Sequence, residues 1–231
     1  GWGGGQAALA LIPSPMPRGS TPPRHRLGLI LAACALLAGG IAYYRAFIRY
    51  ELAPRNFGVV EPGAIYRCGR QTTASLKRII EDHKIKTVVD LGAWWPDSRE
   101  ERQTALTLKA LGVTRHLLPL NGDGTGDPNR YVEALRVLKN PTNHPVLVYC
   151  AAGAQRTSVC VVLYRHIVQG KSVDEAYAEA RAYENTPQDN RPYVDQYLPL
   201  IKQALDRGTP VPYAAPSPAP GSGARPGTSN P

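Results

Sequence analysis

Between Pro145 and Gln169 an apolar run passes into a helical repeat through a turn made almost wholly of small residues, and this junction narrows the fold more than any other part of the chain. Pro145-Val-Leu-Val-Tyr149 is short and continuously apolar, the pattern of a buried strand, whereas Val159, Val162, Leu163 and Ile167 recur at helical spacing from Thr157 onward. A buried strand feeding straight into a helix is the repeating unit of a parallel sheet. The expected architecture is therefore an α/β domain with a central, mostly parallel sheet flanked by helices.

The turn itself, Cys150-Ala-Ala-Gly-Ala-Gln-Arg156-Thr157, has the composition of an anion cradle. Helix N-termini carry unpaired N–H groups and the positive end of the macrodipole, so the amides of Ala151, Ala152, Gly153, Ala154 and Gln155 can wrap around a phosphate group there. A thiol in that field is expected to ionise below its ordinary value of about 8.5, in the range of roughly 3.5–7.5, which makes Cys150 a nucleophile at neutral pH. Arg156 offers two phosphate oxygens a planar, permanently charged fork that lysine cannot match in geometry. Thr157 places a hydroxyl beside the sulfur, where it can ease departure of the thiolate in a second step. These residues point to phosphate-ester chemistry.

The pattern Cys-x5-Arg-Thr between a strand and a helix resembles that of the cysteine-dependent protein tyrosine phosphatases, and the dual-specificity branch fits best. Two upstream segments extend the resemblance, which runs through most of the chain from Val59 to Leu205. Ile65-Tyr-Arg-Cys-Gly-Arg-Gln71 is similar to the family's Tyr-Arg-Ser-Gly-Gln strand, and Ile85-Lys-Thr-Val-Val-Asp-Leu-Gly92 to its first central strand. The resemblance implies a two-step hydrolysis. Cys150 attacks phosphorus, the loop amides and Arg156 hold the equatorial oxygens, an Asp protonates the leaving oxygen, and water then hydrolyses the cysteinyl phosphate.

As substrates it implies phosphotyrosine, phosphoserine or phosphothreonine in proteins, with inositol phosphates or phosphoinositides as the alternative on the same fold. The rival from another class is a catalytically silent phosphate-binding module. The loop interior, Ala-Ala-Gly-Ala-Gln, lacks the lysines of phosphoinositide-cleaving relatives, which weighs toward phosphoproteins. Two positions depart from the family. Tyr149 stands where His usually precedes the nucleophile, removing one customary contributor to a low thiol pKa. Cys68 stands where Ser is common; it reads as a small buried strand residue, the other reading being a second thiol able to form a reversible disulfide with Cys150.

In this branch the general acid is an Asp on a loop upstream of the nucleophile, and Leu120-Asn-Gly-Asp-Gly-Thr-Gly-Asp-Pro128 offers Asp123 and Asp127. Asp127-Pro128 precedes the amphipathic stretch Tyr131, Val132, Leu135, Leu138, so Asp127 is accounted for as an N-cap with proline at the first helical position. Asp123 has no such structural role, and its flanking glycines suit a loop that closes over substrate; against this, Asn-Gly and Asp-Gly mark turns in any protein. Trp94-Trp-Pro-Asp97 spells the acid loop of the tyrosine-specific branch, but it lies 53 residues before Cys150, directly after a strand. Ser98-Arg-Glu-Glu101 then reads as a capping box for the helix of Ala105, Leu108 and Leu111, closed by Gly112. Asp97 is read as a helix-entry residue, and the two tryptophans as one edge of the cleft, because open α/β sheets bind ligands at the carboxyl ends of their strands.

Composition divides the chain. Residues 55–207 hold 21 basic and 17 acidic groups, about +4 of the total +9, too mild and dispersed for a nucleic-acid partner. At about 150 residues this stretch is the size of one domain. The four cysteines show no framework spacing, and the five histidines are scattered, so neither a metal nor a cofactor is expected. Ser172-Val-Asp-Glu175 is a second capping box, and Val194–Leu205 supplies a last helix. Residues 208–231 are rich in Pro, Gly, Ser and Ala and are expected to be disordered.

At the other end, Leu27 to Tyr44 is uncharged and follows Arg18, Arg24, His25 and Arg26. Residues 27–48 read as a single transmembrane anchor or an export signal after an extension over 1–26, within which Met16 is a candidate start. Arginines flank both sides of this segment, so its orientation stays open. The expected partners are a phosphorylated protein or small phosphomonoester, and the membrane.

Overall fold

The computed structural model describes residues 24–44 and 54–214. Within the second stretch five strands form one sheet: β1 (Gly58–Glu61), β2 (Ile65–Gly69), β3 (Thr87–Asp90), β4 (Thr114–Leu117) and β5 (Val146–Cys150). The spatial order is β1-β2-β5-β3-β4; β1 runs antiparallel to β2 and the remaining pairs are parallel. This is the expected α/β architecture. The apolar run after Pro145 becomes β5, at the sheet's centre and buried along its whole length.

Helices cover both faces. One core layer packs α4 (Pro128–Lys139), α5 (Gln155–Ile167), α6 (Val173–Arg181) and α7 (Pro187–Arg207) against Val89, Val146, Val148 and Cys150. The other packs α2 (Thr73–His83) and α3 (Arg99–Ala110) against Cys68, Val88, Leu147 and Tyr149. Side chains alternate across a strand, so Cys150 and Tyr149 belong to opposite layers.

The caps are largely those the sequence implies. Asp127 is the N-cap of α4 and accepts from the Asn129 amide at 3.0 Å, with Pro128 next in the helix. Ser172 and Glu175 form a complete capping box on α6. Ser98 caps α3 by accepting from the Glu101 amide, but the box is only half made, because the Glu101 carboxylate turns to Arg115 at 2.7 Å. The last helix begins at Pro187 rather than near Val194, and it carries Pro192 and Pro199 inside it. Interior prolines argue against helix locally; here a buried face of Asn190, Val194, Ile201 and Ala204 overrides them.

The domain also extends past the expected boundary at 207. Val211 is buried, and its amide and carbonyl both bond the Asn129 side chain, at 2.7 and 3.0 Å. Residues 215–231 of the expected tail lie outside the described residues, as do 1–23 of the extension and 45–53 after the apolar segment.

The amino-terminal unit is helix α1 (Arg24–Tyr43). No helix among the described residues is long and apolar enough to cross a membrane. Of the expected span over 27–48, residues 27–43 lie in α1, and residues 45–48 lie outside the described residues.

Candidate active site

Parallel pairing brings the ends of three strands together. Gly69 lies opposite Cys150 on one side of β5, and Asp90 lies opposite Tyr149 on the other. The loop after Cys150 leads directly into α5, whose N-cap, Ala154, has no capping side chain.

The carbonyls of this loop are held on its outer side. Ala151 O accepts from the Arg70 amide at 3.1 Å, Ala152 O from Asn56 Nδ2 at 3.0 Å, and Gly153 O from Arg67 Nη2 at 2.6 Å. In a trans peptide the N–H points opposite the carbonyl, so fixing three successive carbonyls outward turns the amides of Ala152, Gly153 and Ala154 inward. The Gly153 amide accordingly donates to Cys150 Sγ at 3.3 Å. The loop that the sequence marks as a cradle is thus a bowl of amides with the sulfur at its base.

Glycine is required at the turn of the bowl. Gly153 has φ of +73°, and a Cβ there would lie 2.5 Å from Gly69 N and 2.7 Å from Cys68 C. Gly153→Ala is expected to lower stability by about 2 kcal/mol or more through backbone strain and overpacking, read as a fall in the urea midpoint.

Arg156 Nη1 donates to Gly92 O and, at 3.1 Å, to Leu91 O, which fixes the guanidinium at the rim. Its Nε, and Thr157 Oγ1, are buried without a protein partner. Buried donors left without acceptors are costly, so both groups suit an incoming oxyanion. Arg67 also carries unpartnered Nε and Nη1 atoms. It is fully buried under the loop, bonds Ser158 Oγ at 2.8 Å and sits 3.8 Å from the centroid of Tyr183; burial pushes its pKa down to about 10.

The carbonyls gripping Arg156 belong to a turn organised by Asp90. Its Oδ1 accepts from the amides of Gly92 and Ala93 at 2.9 and 2.8 Å, and its Oδ2 from Tyr149 Oη at 2.7 Å and Arg115 Nη2 at 2.6 Å. Burial, reinforced by the Asp90 charge, raises the Tyr149 pKa well above normal, so the phenol stays a donor. Burial opposes the charge on Arg115, yet Asp90 and Glu101 beside it hold its pKa above the ordinary value. Tyr149 therefore braces the turn whose carbonyls hold Arg156.

Asp123 is exposed at the loop surface, and its carboxylate accepts from the Thr125 amide and hydroxyl at 2.9 and 2.8 Å. Its loop nevertheless lies on the cradle. A Cβ on Gly124 would come 3.4 Å from the Gln155 backbone, and Asn190 Nδ2 bridges Asp123 O, at 3.1 Å, to Gln155 Oε1, at 2.8 Å. Asp127 is committed to its cap. Asp97 lies just before the α3 cap, and its carbonyl accepts from Arg102. Trp94 lines a cleft beside the site, whereas Trp95 is 81% exposed.

Cys68 is fully buried in the layer opposite Cys150, and burial first, then the neighbouring Cys150, pushes its thiol well above the usual range. The alternation of β2 and β5 thus favours the buried-strand reading over a disulfide partner. Sequence reasoning missed Arg67, Asp90 and Asn190 as site residues; Arg67 and Asp90 lay within the two quoted strand segments, where a charge among apolar neighbours was the available signal.

Residues 55–194 match the family model PTP-NADK, described as DSP-PTPase phosphatase fused to NAD+ kinase. A curated relative from Oryza sativa subsp. japonica, inositol diphosphatase DSP1, is 33% identical over 116 residues, 47% of this chain and 48% of that one, so the chain spans about half the length of the relative. Among solved structures, the core catalytic domain of the PP-IP phosphatase SIW14 from S. cerevisiae, in complex with citrate, aligns with a TM-score of 0.54 at 22% identity, over 67% of this chain and 93% of that one. TpbA from P. aeruginosa aligns with a TM-score of 0.52 at 22% identity, over 68% of this chain and 99% of that one. These two share the fold. With the family model matching well over half of the chain, on the segment that holds the cysteine cradle, this protein belongs to the PTP-NADK family, within the dual-specificity protein tyrosine phosphatase superfamily.

Proposed function

We propose that the domain hydrolyses phosphomonoesters through a cysteinyl-phosphate intermediate. The observation that carries this reading is the amide bowl with Cys150 Sγ at its base, set beside the unpartnered, buried Arg156 Nε and Thr157 Oγ1. The ester phosphate enters the bowl, and its equatorial oxygens accept from the loop amides and Arg156. Cys150 forms the S–P bond as the P–O bond to the leaving group breaks. Asp123, released from Thr125, gives its proton to the leaving oxygen and then takes one from the water that cleaves the S–P bond. Thr157 Oγ1 supports the departing thiolate.

The names of the relatives carry two substrate classes, phosphotyrosine and inositol pyrophosphates: TpbA with a Ser in place of its Cys has been solved in complex with pTyr, and the rice relative is an inositol diphosphatase. Both are phosphate esters or anhydrides of the kind this bowl fits. Hydrolysis of p-nitrophenyl phosphate by the purified protein tests the reaction directly, since absence of turnover leaves a silent binding module. Asp123→Asn is expected to lower kcat by about 10²- to 10⁴-fold on a substrate with a poor leaving group; unchanged kcat moves the acid elsewhere.

Membrane attachment through residues 27–48 is part of the same proposal. Its support is that Leu29, Ile30, Leu31, Leu36, Leu37 and Ile41 of α1 are all 50% or more exposed. Membrane pelleting of the full chain, lost when residues 27–48 are deleted, is the expected result; equal solubility of both would sink it.

A further inference from the structure

A cleft of about 500 Å³ opens beside the phosphate loop, reached from the end of β2 where Gly69 faces Cys150. Its lining includes three arginines, Arg55, Arg70 and Arg99, against one acidic residue, Glu100. Arg70 is the residue whose amide bonds the cradle at Ala151, and its guanidinium lies over Trp94, 4.8 Å from the ring centroid. The stacked ring holds a cation beside the bowl without neutralising it. Among the described residues Arg55 has only an exposed ion-pair partner, Glu184, at 3.7 Å, a contact largely screened by water. Arg99 makes no ion pair among the described residues.

Three arginines against one acid give the lining of this cleft an excess of positive charge, which is favourable when an anion of matching charge enters. The phosphate on Cys150 does not satisfy them, because its oxygens are met by the bowl and Arg156. A singly phosphorylated side chain on a peptide leaves the cleft's charge unanswered. The geometry points to a second anion subsite, formed by Arg70 and Arg99 with Arg55 at its rim, that selects small molecules carrying at least two phosphate groups. The scissile phosphate sits on the Cys150 loop and its neighbour lies in the cleft. This supplies from outside the loop the positive charge that the Ala-Ala-Gly-Ala-Gln interior lacks, and it turns the substrate away from the phosphoproteins that loop composition favours. The inference rests on the phosphatase reading for its choice of substrate, but occupancy of the cleft does not require turnover.

The test is calorimetric titration of the full chain carrying Cys150→Ser, with and without Arg70→Ala and Arg99→Ala together. The probes are inositol hexakisphosphate, adenosine 3′,5′-bisphosphate, inorganic phosphate and a phosphotyrosyl peptide. At least one of the two polyphosphates is expected to bind about 10-fold or more tighter than inorganic phosphate, and whichever does so identifies an inositol or a nucleotide source. The double arginine change is expected to weaken that ligand by about 10-fold or more, with inorganic phosphate within about twofold. Equal weakening of all four probes, no preference for either polyphosphate, or tightest binding of the peptide overturns the subsite. Turnover of p-nitrophenyl phosphate by the protein with Cys150 intact reports separately on the reaction. Lost turnover beside an intact titration removes the hydrolase, and hydrolysis without polyphosphate preference removes only the subsite.

Discussion

Replacing Cys150 by serine is expected to abolish turnover, by about 10⁴-fold or more in kcat, while leaving the melting temperature within a few degrees of the parent. The magnitude follows from what the sulfur does. In the proposed mechanism it forms the bond to phosphorus, and removing a covalent nucleophile costs most of an enzyme's rate. The fold should tolerate the change because serine is nearly isosteric and the Gly153 amide, which meets Sγ at 3.3 Å, can donate to a hydroxyl as well. The comparison is made with p-nitrophenyl phosphate under saturating conditions, together with a thermal melt. A variant that retained a tenth of the activity would mean that phosphate is transferred directly to water and that the cysteine is a bystander.

Asp90→Ala is expected to destabilise the domain by about 3–5 kcal/mol, the largest effect on stability for any single site outside the apolar core. The carboxylate is fully buried and serves four partners at once, and its loss leaves the amides of Gly92 and Ala93, the Tyr149 hydroxyl and the Arg115 guanidinium short of acceptors. Breaking a buried charge network by removing one member costs this much because the remaining charge stays desolvated. Among the described residues Arg115 keeps only Glu101 as an ion-pair partner.

The same change should disturb the turn whose carbonyls hold Arg156, so kcat/KM is expected to fall in the fraction that remains folded. Tyr149→Phe provides the graded control. It removes one hydrogen bond to Asp90 and should cost about 1–2 kcal/mol with the turn intact. Urea unfolding of the two variants decides the matter; a midpoint for Asp90→Ala equal to that of the parent would show that the network contributes nothing.

The parts of this molecule legible in the sequence are those governed by residues close to one another along the chain. A continuous apolar run, a helical repeat and the small residues between them gave the strand, the helix and the anion-binding turn, because strand and helix periodicity and backbone access to an N-terminus are local properties. Asp127 and Ser172 were readable as caps for the same reason. Where a local rule competed with burial it failed: Pro192 argues against helix before Val194, and packing of Asn190 and Val194 prevailed. Glu101, expected to close a capping box, instead found Arg115 on β4.

The amino-acid sequence by itself determined the α/β class and the small-residue turn that follows Cys150, and it supplied the argument for Asp123 over Asp127 as the proposed acid. Only the tertiary structure decided what surrounds them: that Arg67 lies beneath the loop, that Asp90 and Tyr149 brace the turn gripping Arg156, and that Arg55, Arg70 and Arg99 face one cleft. These charges come from separate elements, and their meeting depends on the parallel pairing of β2, β5 and β3, which no periodicity within a single element encodes.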